Sequence, residues 1–372
     1  MSNHPLDRLH LDANKSLFMY TTEVETPHAS PSEKTLRTKI TSPRRRFGGK
    51  DRWGPWQLSR TTFLFATDLH GSEEVWKKFL NSSKYFDLDA LVLSGDMTGK
   101  LIVPLVKRDD GRYDSSLHGK DWVLEEKDLP SFEDKIRRAA YIPYRTTAEE
   151  AAEIQANEEK RETLFKRLQV EIVGYWLTLI PPRVPDKCKV ILSPGNDDVF
   201  EIDEVIKQDS RVIYGEENVV ALDDEHEVAC LGWSNPTPWN SPRECSEEEL
   251  WERIERVASQ IRNVRSSVFC FHCPPYDCQI DLAPKLNPDF TPVYAQGRPL
   301  MIPVGSESVR RAIEKYQPLL GLHGHIHESS GFVNIGRTKC LNPGSEYGEG
   351  ILRAFLVELE GMKIRRLQRV ES

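Results

Sequence analysis

Five short apolar runs recur along the chain, Thr61–Thr67, Ala90–Ser94, Lys189–Leu192, Ser267–Phe271 and Pro318–Leu322, and each stops at a polar cluster. Unbroken runs of this length, rich in β-branched and aromatic residues, predict strands buried on both faces. Between the first two lies an amphipathic stretch, Glu73 to Leu80. Strand, helix and strand within about thirty-five residues form a βαβ unit, which implies a mostly parallel sheet. The pattern therefore predicts an α/β fold.

A long insertion, at about residues 100–187, separates the second run from the third. Leu101–Lys107 and Arg112–Leu117 flank Asp110-Gly111, a hairpin turn. Thr147 followed by Glu150 is a capping box. Leu164, Leu168, Ile172, Trp176 and Ile180 then recur at every fourth position, with Phe165, Val173 and Leu177 beside them. This stripe predicts one amphipathic helix from about residue 148 to Pro181-Pro182, about 50 Å long if unbroken, packed on the core sheet. Residues 1–60 show no sustained periodicity. Arg44-Arg45-Arg46-Phe47-Gly48-Gly49 reads as part of a poorly ordered N-terminal arm, or of a basic arm that docks on a partner or on phosphate backbone. Trp53 and Trp56 mark its junction with the body. The expected organisation is a 1–60 extension and one domain over 61–372.

Charge sharpens this division. Residues 1–60 hold 11 Lys/Arg against 6 Asp/Glu, a net of +5, so residues 61–372 carry −13 of the total −8. Such a body is a poor general surface for nucleic acid unless a local charge, such as divalent cations, reverses the field. Seven cysteines and an opening Met-Ser-Asn-His-Pro-Leu-Asp without an apolar core argue against a secreted disulfide scaffold. No stretch approaches the ~20 apolar residues of a membrane span. The expected compartment is the cytoplasm.

The polar clusters carry the chemistry. They are Asp68-Leu69-His70, Gly95-Asp96, Gly195-Asn196-Asp197-Asp198, His272 after Phe271, and Gly324-His325-Ile326-His327. Taken singly, each has a plain structural explanation: a helix cap, a turn, or a packed core histidine. All five follow apolar runs, however, and ligands of open α/β sheets bind outside the carboxyl ends of the strands. Asp68, His70, Asp96, Asn196, His272, His325 and His327 offer carboxylate, imidazole and amide donors, a set suited to divalent transition metals. Seven ligands are too many for one tetrahedral ion and natural for two, and Asp96 suits a bridging position. Alternate residues of an extended chain point the same way, so Asp-x-His and His-x-His can each reach one ion or a close pair. Cys270, Cys273 and Cys278 around His272 invite a competing zinc reading. The second close pair it needs is missing, since Cys188, Cys230, Cys245 and Cys340 are scattered. His4, His10, His28, His118 and His226 lie outside every motif and are read as surface or packing residues.

The order Asp-x-His, Gly-Asp, Gly-Asn, His, Gly-His-x-His resembles the calcineurin-like metallophosphoesterases over about residues 61–360. Ser234-Asn235-Pro236-Thr237-Pro238, Ser241-Pro242-Arg243-Glu244, Leu322 to Ser329 and Asn342-Pro343-Gly344-Ser345 resemble segments of a branch of small cytoplasmic phosphoesterases of undefined substrate. The resemblance implies a four-layer sandwich: two mixed β-sheets flanked by helices, with a dinuclear metal site at the carboxyl ends of the strands. It places Asp68, His70 and His327 on one ion, Asn196, His272 and His325 on the other, and Asp96 between both. Mn, Fe, Zn, Ni or Co would serve, with Mn favoured.

The expected chemistry is hydrolysis of a phosphoester by in-line attack of a metal-bridging hydroxide. Many members carry His after the metal-binding Asn as acid for the leaving group; here Asp197 stands there, and water or His323 is the substitute. Met97-Thr98-Gly99-Lys100 replaces the Asp-Arg-Gly of the phosphoprotein phosphatases, which disfavours protein phosphatase activity. A diester is expected over a monoester unless a cation clamps the extra charge, and Arg243 is the candidate clamp. Specificity is expected in the insertion and in Trp233–Glu244, with Asn235 and Arg243 as substrate-binding residues. The substrate is a small phosphoester or nucleotide, with no membrane partner. The alternatives are a nuclease whose basic arm holds DNA or RNA, and a non-catalytic interaction scaffold on the same fold.

Overall fold

The computed structural model describes residues 11–12 and 60–372. The remainder of the basic arm, with Arg44, Arg45, Arg46, Trp53 and Trp56, lies outside the described residues. Two six-stranded mixed sheets form the body. The first has the order Lys363–Glu371, Arg353–Glu360, Arg60–Ala66, Ala90–Ser94, Lys189–Ser193, Ile213–Tyr214. Its last four strands are parallel and its C-terminal hairpin is antiparallel. The second runs Val219–Ala221, Glu227–Leu231, Val268–Phe271, Leu320–Leu322, Thr338–Asn342, Gly331–Ile335, parallel through its middle four strands.

The central strands are apolar because both of their faces are covered, whereas the edge strand Lys363–Glu371 is largely charged and exposed. Phe63, Phe65, Ala90, Val92 and Ile191 point inward to meet Val228, Cys230, Val268, Cys270, Leu320 and Leu322 of the second sheet. Their neighbours Leu64, Ala66, Leu91, Leu93 and Leu192 point outward, onto Trp76 and Phe79 of helix Glu73–Tyr85 and Val173 and Trp176 of helix Glu158–Thr178. On the far side, Ala229, Leu231, Phe269 and Phe271 meet helices Glu247–Ala258 and Glu307–Tyr316. Helix, sheet, sheet and helix make the four layers. All seven cysteines are buried and free. Cys230 and Cys270 lie side by side between the sheets. Cys273 and Cys278 instead donate to Asn235 Oδ1 and the Pro275 carbonyl, so no zinc cluster forms among the described residues.

The insertion builds a sheet of its own. Leu101–Lys107 pairs in parallel with Ile142–Thr147 and antiparallel with Leu11–Asp12 and Tyr113–Leu117, and the last of these pairs with Lys120–Leu124. The turn is the expected one: Asp110 Oδ1 accepts the Arg112 N–H at 3.0 Å. Val103, Leu105, Tyr113, Phe132 and Ile136 form a separate small core with helix Leu129–Arg138. The expected single long helix is broken. Ala148–Ala156, capped by Thr147, ends at Asn157, whose side chain caps a second helix, Glu158–Thr178, through the Lys160 N–H. An Asn side chain competes for backbone donors and so restarts the helix rather than continuing it. The apolar stripe is divided as well. Leu164, Phe165 and Leu168 pack on the insertion sheet, Ile172 touches both cores, and Val173, Trp176, Leu177 and Ile180 reach the first sheet.

A polar staple ties the two sheets together. Asp223, beyond the edge of the second sheet, accepts from Thr61 Oγ1 on the first and from the Glu225 and His226 N–H groups. His226 lies 2.7 Å from Asp223 Oδ2 and 2.6 Å from the Gly361 carbonyl. Burial pushes the Asp223 carboxyl up, but His226 and Thr61 outweigh it and bring it down to about 2. Burial pulls His226 down, yet Asp223 and the Gly361 carbonyl raise it above its ordinary 6.5. Asp223→Asn is expected to cost about 1.5–3 kcal/mol in urea unfolding. The depressed carboxylate stabilises fully above its unfolded value near 3.8 and ceases to as pH falls through about 2. The raised imidazole stabilises fully below 6.5 and ceases to as pH rises through its folded value. The difference between wild type and variant should therefore peak between about pH 4 and 6.5.

Candidate metal centre

Three strands of the first sheet and two of the second end at one place, and their next residues form the site. Asp68 and His70 follow Arg60–Ala66, Asp96 follows Ala90–Ser94, and Asn196 follows Lys189–Ser193. His272 follows Val268–Phe271, and His325 and His327 follow Leu320–Leu322. All seven predicted ligand positions come to this end of the sandwich. Asp68, His70 and His327 form one group of donor atoms and Asp96, His272 and His325 another. Asp68 Oδ1 is 3.3 Å from His327 Nε2, and the Nε2 atoms of His70 and His327 are 3.0 Å apart. Asp96 is shared: its Oδ2 lies 3.7 Å from His70 Nε2 and 3.5 Å from His272 Nε2.

The backbone is strained where it delivers these groups. Asp68, His70, Asp96 and His325 have φ of 54°, 42°, 47° and 67°, in the left-handed region that side-chain-bearing residues seldom adopt. The glycines of the motifs permit close approach. A Cβ on Gly95, itself at φ +86°, would stand 1.9 Å from His272 Nδ1, and one on Gly324 would stand 2.4 Å from Asp68 Oδ2.

Hydrogen bonds lock the loops. Asp198 is buried and accepts from Met97 N, Thr98 N, Thr98 Oγ1 and Gly195 N at 2.8–3.0 Å, tying the Asp96 loop to the Asn196 loop. Asn342 donates to the carbonyls of Gly324 and Ile326, which holds the His325–His327 turn. His272 Nδ1 faces the Ser94 carbonyl at 3.3 Å, leaving Nε2 toward the carboxylates. Sequence reasoning gave Asp198 no role, although it stood in the Gly-Asn-Asp-Asp cluster.

Electrostatics show what the cluster can hold. Burial raises Asp96, and Asp197 adds to the rise, to about 6. Burial also raises Asp68, but His272, His327 and His70 overcome it and hold the carboxyl far below its ordinary range. Burial pulls His272 down, yet Asp96 and Asp68 lift it to about 10, so the carboxylates draw positive charge between them. His325 is lowered by burial to about 3, which keeps its imidazole neutral, the metal-binding form. Asn196 Oδ1 and His272 Nε2 are buried polar atoms without a hydrogen-bond partner. Two carboxylates, four imidazoles and a free amide oxygen fit divalent cations, whose charge would take the place of the proton that the carboxylates draw onto His272.

Four predicted site residues have structural partners of their own. Asp197 is ion-paired to Lys100 and accepts from Ser241 Oγ and Asn196 Nδ2. Burial raises it, but Lys100 and His70 outweigh that and hold it ionised, the wrong form for an acid. His323 is fully buried behind the loops, with Nδ1 on the Phe271 and Cys273 carbonyls, and burial lowers it to about 4. Arg243 is 1% exposed and spends its guanidinium on Asp203 and on the Asp198 and Val199 carbonyls. It braces the Asn196 loop from behind, beside a cavity of about 600 Å³ that it lines with Phe200 and Trp233. Asn235 donates to the Val304 and Gly305 carbonyls and so joins two loops. The cation at the mouth is Lys100, 46% exposed, and the Tyr347 ring packs 4.6 Å from that of His70. Gly95→Ala should leave the circular dichroism spectrum unchanged and weaken Mn²⁺ binding about tenfold in calorimetric titration, because the methyl displaces His272.

No family model matches the chain. An uncharacterized protein of Methanocaldococcus jannaschii is 32% identical over 161 residues, a stretch that spans 42% of this chain and 65% of that protein. A crystal structure that aligns over 84% of this chain and 99% of its own has a TM-score of 0.51 at 14% identity. A dimetal phosphatase from Danio rerio aligns over 84% of this chain and 98% of its own, at 8% identity and TM-score 0.39. Two mixed sheets face to face between helices, with Asp/His clusters at their strand ends, give this chain the four-layer sandwich that its motif order implied.

Proposed function

We propose that this chain is a metal-dependent phosphoesterase with two divalent cations. The observation that carries the reading is the convergence of Asp68, His70, Asp96, Asn196, His272, His325 and His327 at one end of the sandwich, with buried acceptors unpartnered among them. Asp68, His70 and His327 would hold one ion and Asn196, His272 and His325 the other, with Asp96 between the two groups. Bound there, divalent cations supply Lewis acidity toward the phosphoryl oxygens and lower the pKa of water.

The protein's own residues do the rest. Asp96 accepts the Asp197 N–H through Oδ1 at 3.0 Å and keeps Oδ2 toward His70 and His272. Asp197 takes the Asn196 amide nitrogen, which turns the amide oxygen into the site. Neither Asp197 nor His323 protonates the leaving group, and solvent does so. With every donor position filled, an interaction scaffold that has lost its ligands is disfavoured. The basic arm on which a nuclease would depend lies outside the described residues. Mn remains the favoured ion and the cytoplasm the expected compartment; among the described residues no helix is long and apolar enough to cross a membrane.

The full chain purified with Mn²⁺ should carry about two ions per molecule by elemental analysis and should hydrolyse p-nitrophenyl phosphate or its bis-ester. A chelator should abolish both signals, and Mn²⁺ should restore them. Asp96→Asn should lower kcat about a hundredfold or more. A metal-free protein inert toward both esters would overturn the reading.

A further inference from the structure

The diester preference expected from the sequence assumed that no cation stands beside the metals. Lys100 removes that premise. Its ammonium pairs with Asp197 Oδ2, and Asp197 is itself fixed by Ser241 Oγ at 2.5 Å and Asn196 Nδ2 at 3.1 Å. The Asp197 N–H binds Asp96 Oδ1, so the ion pair is one residue removed from the shared carboxylate. The backbone below Lys100 is equally fixed. Thr98 is held by Asp198 through N–H and hydroxyl, and the buried Gln169 donates to the Gly99 carbonyl at 3.3 Å. The lysine side chain nevertheless remains 46% exposed.

An ammonium has three N–H donors, and the structure records one carboxylate partner for this one. The charge is therefore fixed in place and open to a substrate. A phosphomonoester near neutral pH carries an extra anionic oxygen where a diester carries a neutral ester arm. Desolvating an ammonium is compensated by an oxyanion and not by an alkoxy or aryloxy group. We infer that Lys100, positioned by Asp197, binds the charged end of a terminal phosphate and makes the site select phosphomonoesters over phosphodiesters. Arg243, the clamp that the sequence suggested, is replaced in this role by a residue that follows the Asp96 loop.

The inference rests on the phosphoesterase reading, and one set of kinetics separates the two. With Mn²⁺ and the full chain, kcat/KM is measured for p-nitrophenyl phosphate and for bis-p-nitrophenyl phosphate. Wild type should prefer the monoester. Lys100→Met should lower the monoester-to-diester ratio at least tenfold, mainly through KM, and should weaken competitive inhibition by inorganic phosphate by a similar factor. Lys100→Arg should return the ratio to within about threefold of wild type, because it keeps the charge. Circular dichroism and metal content verify each variant, and Lys100→Gln replaces Lys100→Met if the latter misfolds. A wild type that prefers the diester, or a ratio unmoved by loss of the ammonium, overturns the assignment of Lys100 and leaves the phosphoesterase standing. A wild type inert toward both esters overturns both.

Discussion

Asp68 and Asp96 are buried to 1% and 2% exposure at the seam between two sheets, and most of the surrounding structure answers to that burial. A carboxylate removed from water must find positive charge or donors, and here both kinds are supplied from opposite sheets. Asp68 comes from the first sheet and accepts the His325 N–H from the second at 3.0 Å. Asp96 comes from the first sheet and faces His272 from the second. The sheets must therefore pack face to face in one register, or each carboxylate keeps only its donor from the first sheet, Thr67 Oγ1 for Asp68 and the Asp197 N–H for Asp96.

Close approach follows from the same constraint. Five loops share a small volume, and the glycines before Asp96, Asn196 and His325 mark where another loop's atoms lie within contact distance of the backbone. The left-handed backbone of four ligand residues is a cost of about 1–3 kcal/mol each, tolerated because the packed layers and the Asp198 and Asn342 hydrogen bonds over-determine the loops. Removing such anchors would release the strain by moving the ligands. Polar residues that never reach a substrate are thus part of how the site keeps its shape.

The insertion serves the site indirectly. Its first strand starts at Leu101, directly after Lys100, and the helix Glu158–Thr178 lies across both the insertion sheet and the first sheet. The small core of the insertion therefore holds the end of the Asp96 loop as well as its own hairpin. Burial of Gln169 on that helix, against the Gly99 carbonyl, connects the two.

The sequence alone determined the residue types and their order. Strand-length apolar runs ending at Asp, His and Asn were legible because a strand buried on both faces has no polar position until it leaves the sheet. The hairpin at Asp110-Gly111 and the cap at Thr147 were legible because turns and caps depend on neighbours in the chain. Tertiary structure alone decided where long side chains point. Arg243 and Lys100 are both cations near ligand motifs, yet one is drawn inward by Asp203 and two carbonyls while the other is held at the mouth by Asp197. Those partners are 40 and 97 residues away in sequence, and no local pattern encodes which of them a flexible chain will meet. The break at Asn157 and the roles of Asp198 and Asn342 were hidden for a related reason. A polar side chain declares its donor or acceptor in the sequence, but only the packed sheets choose its partner.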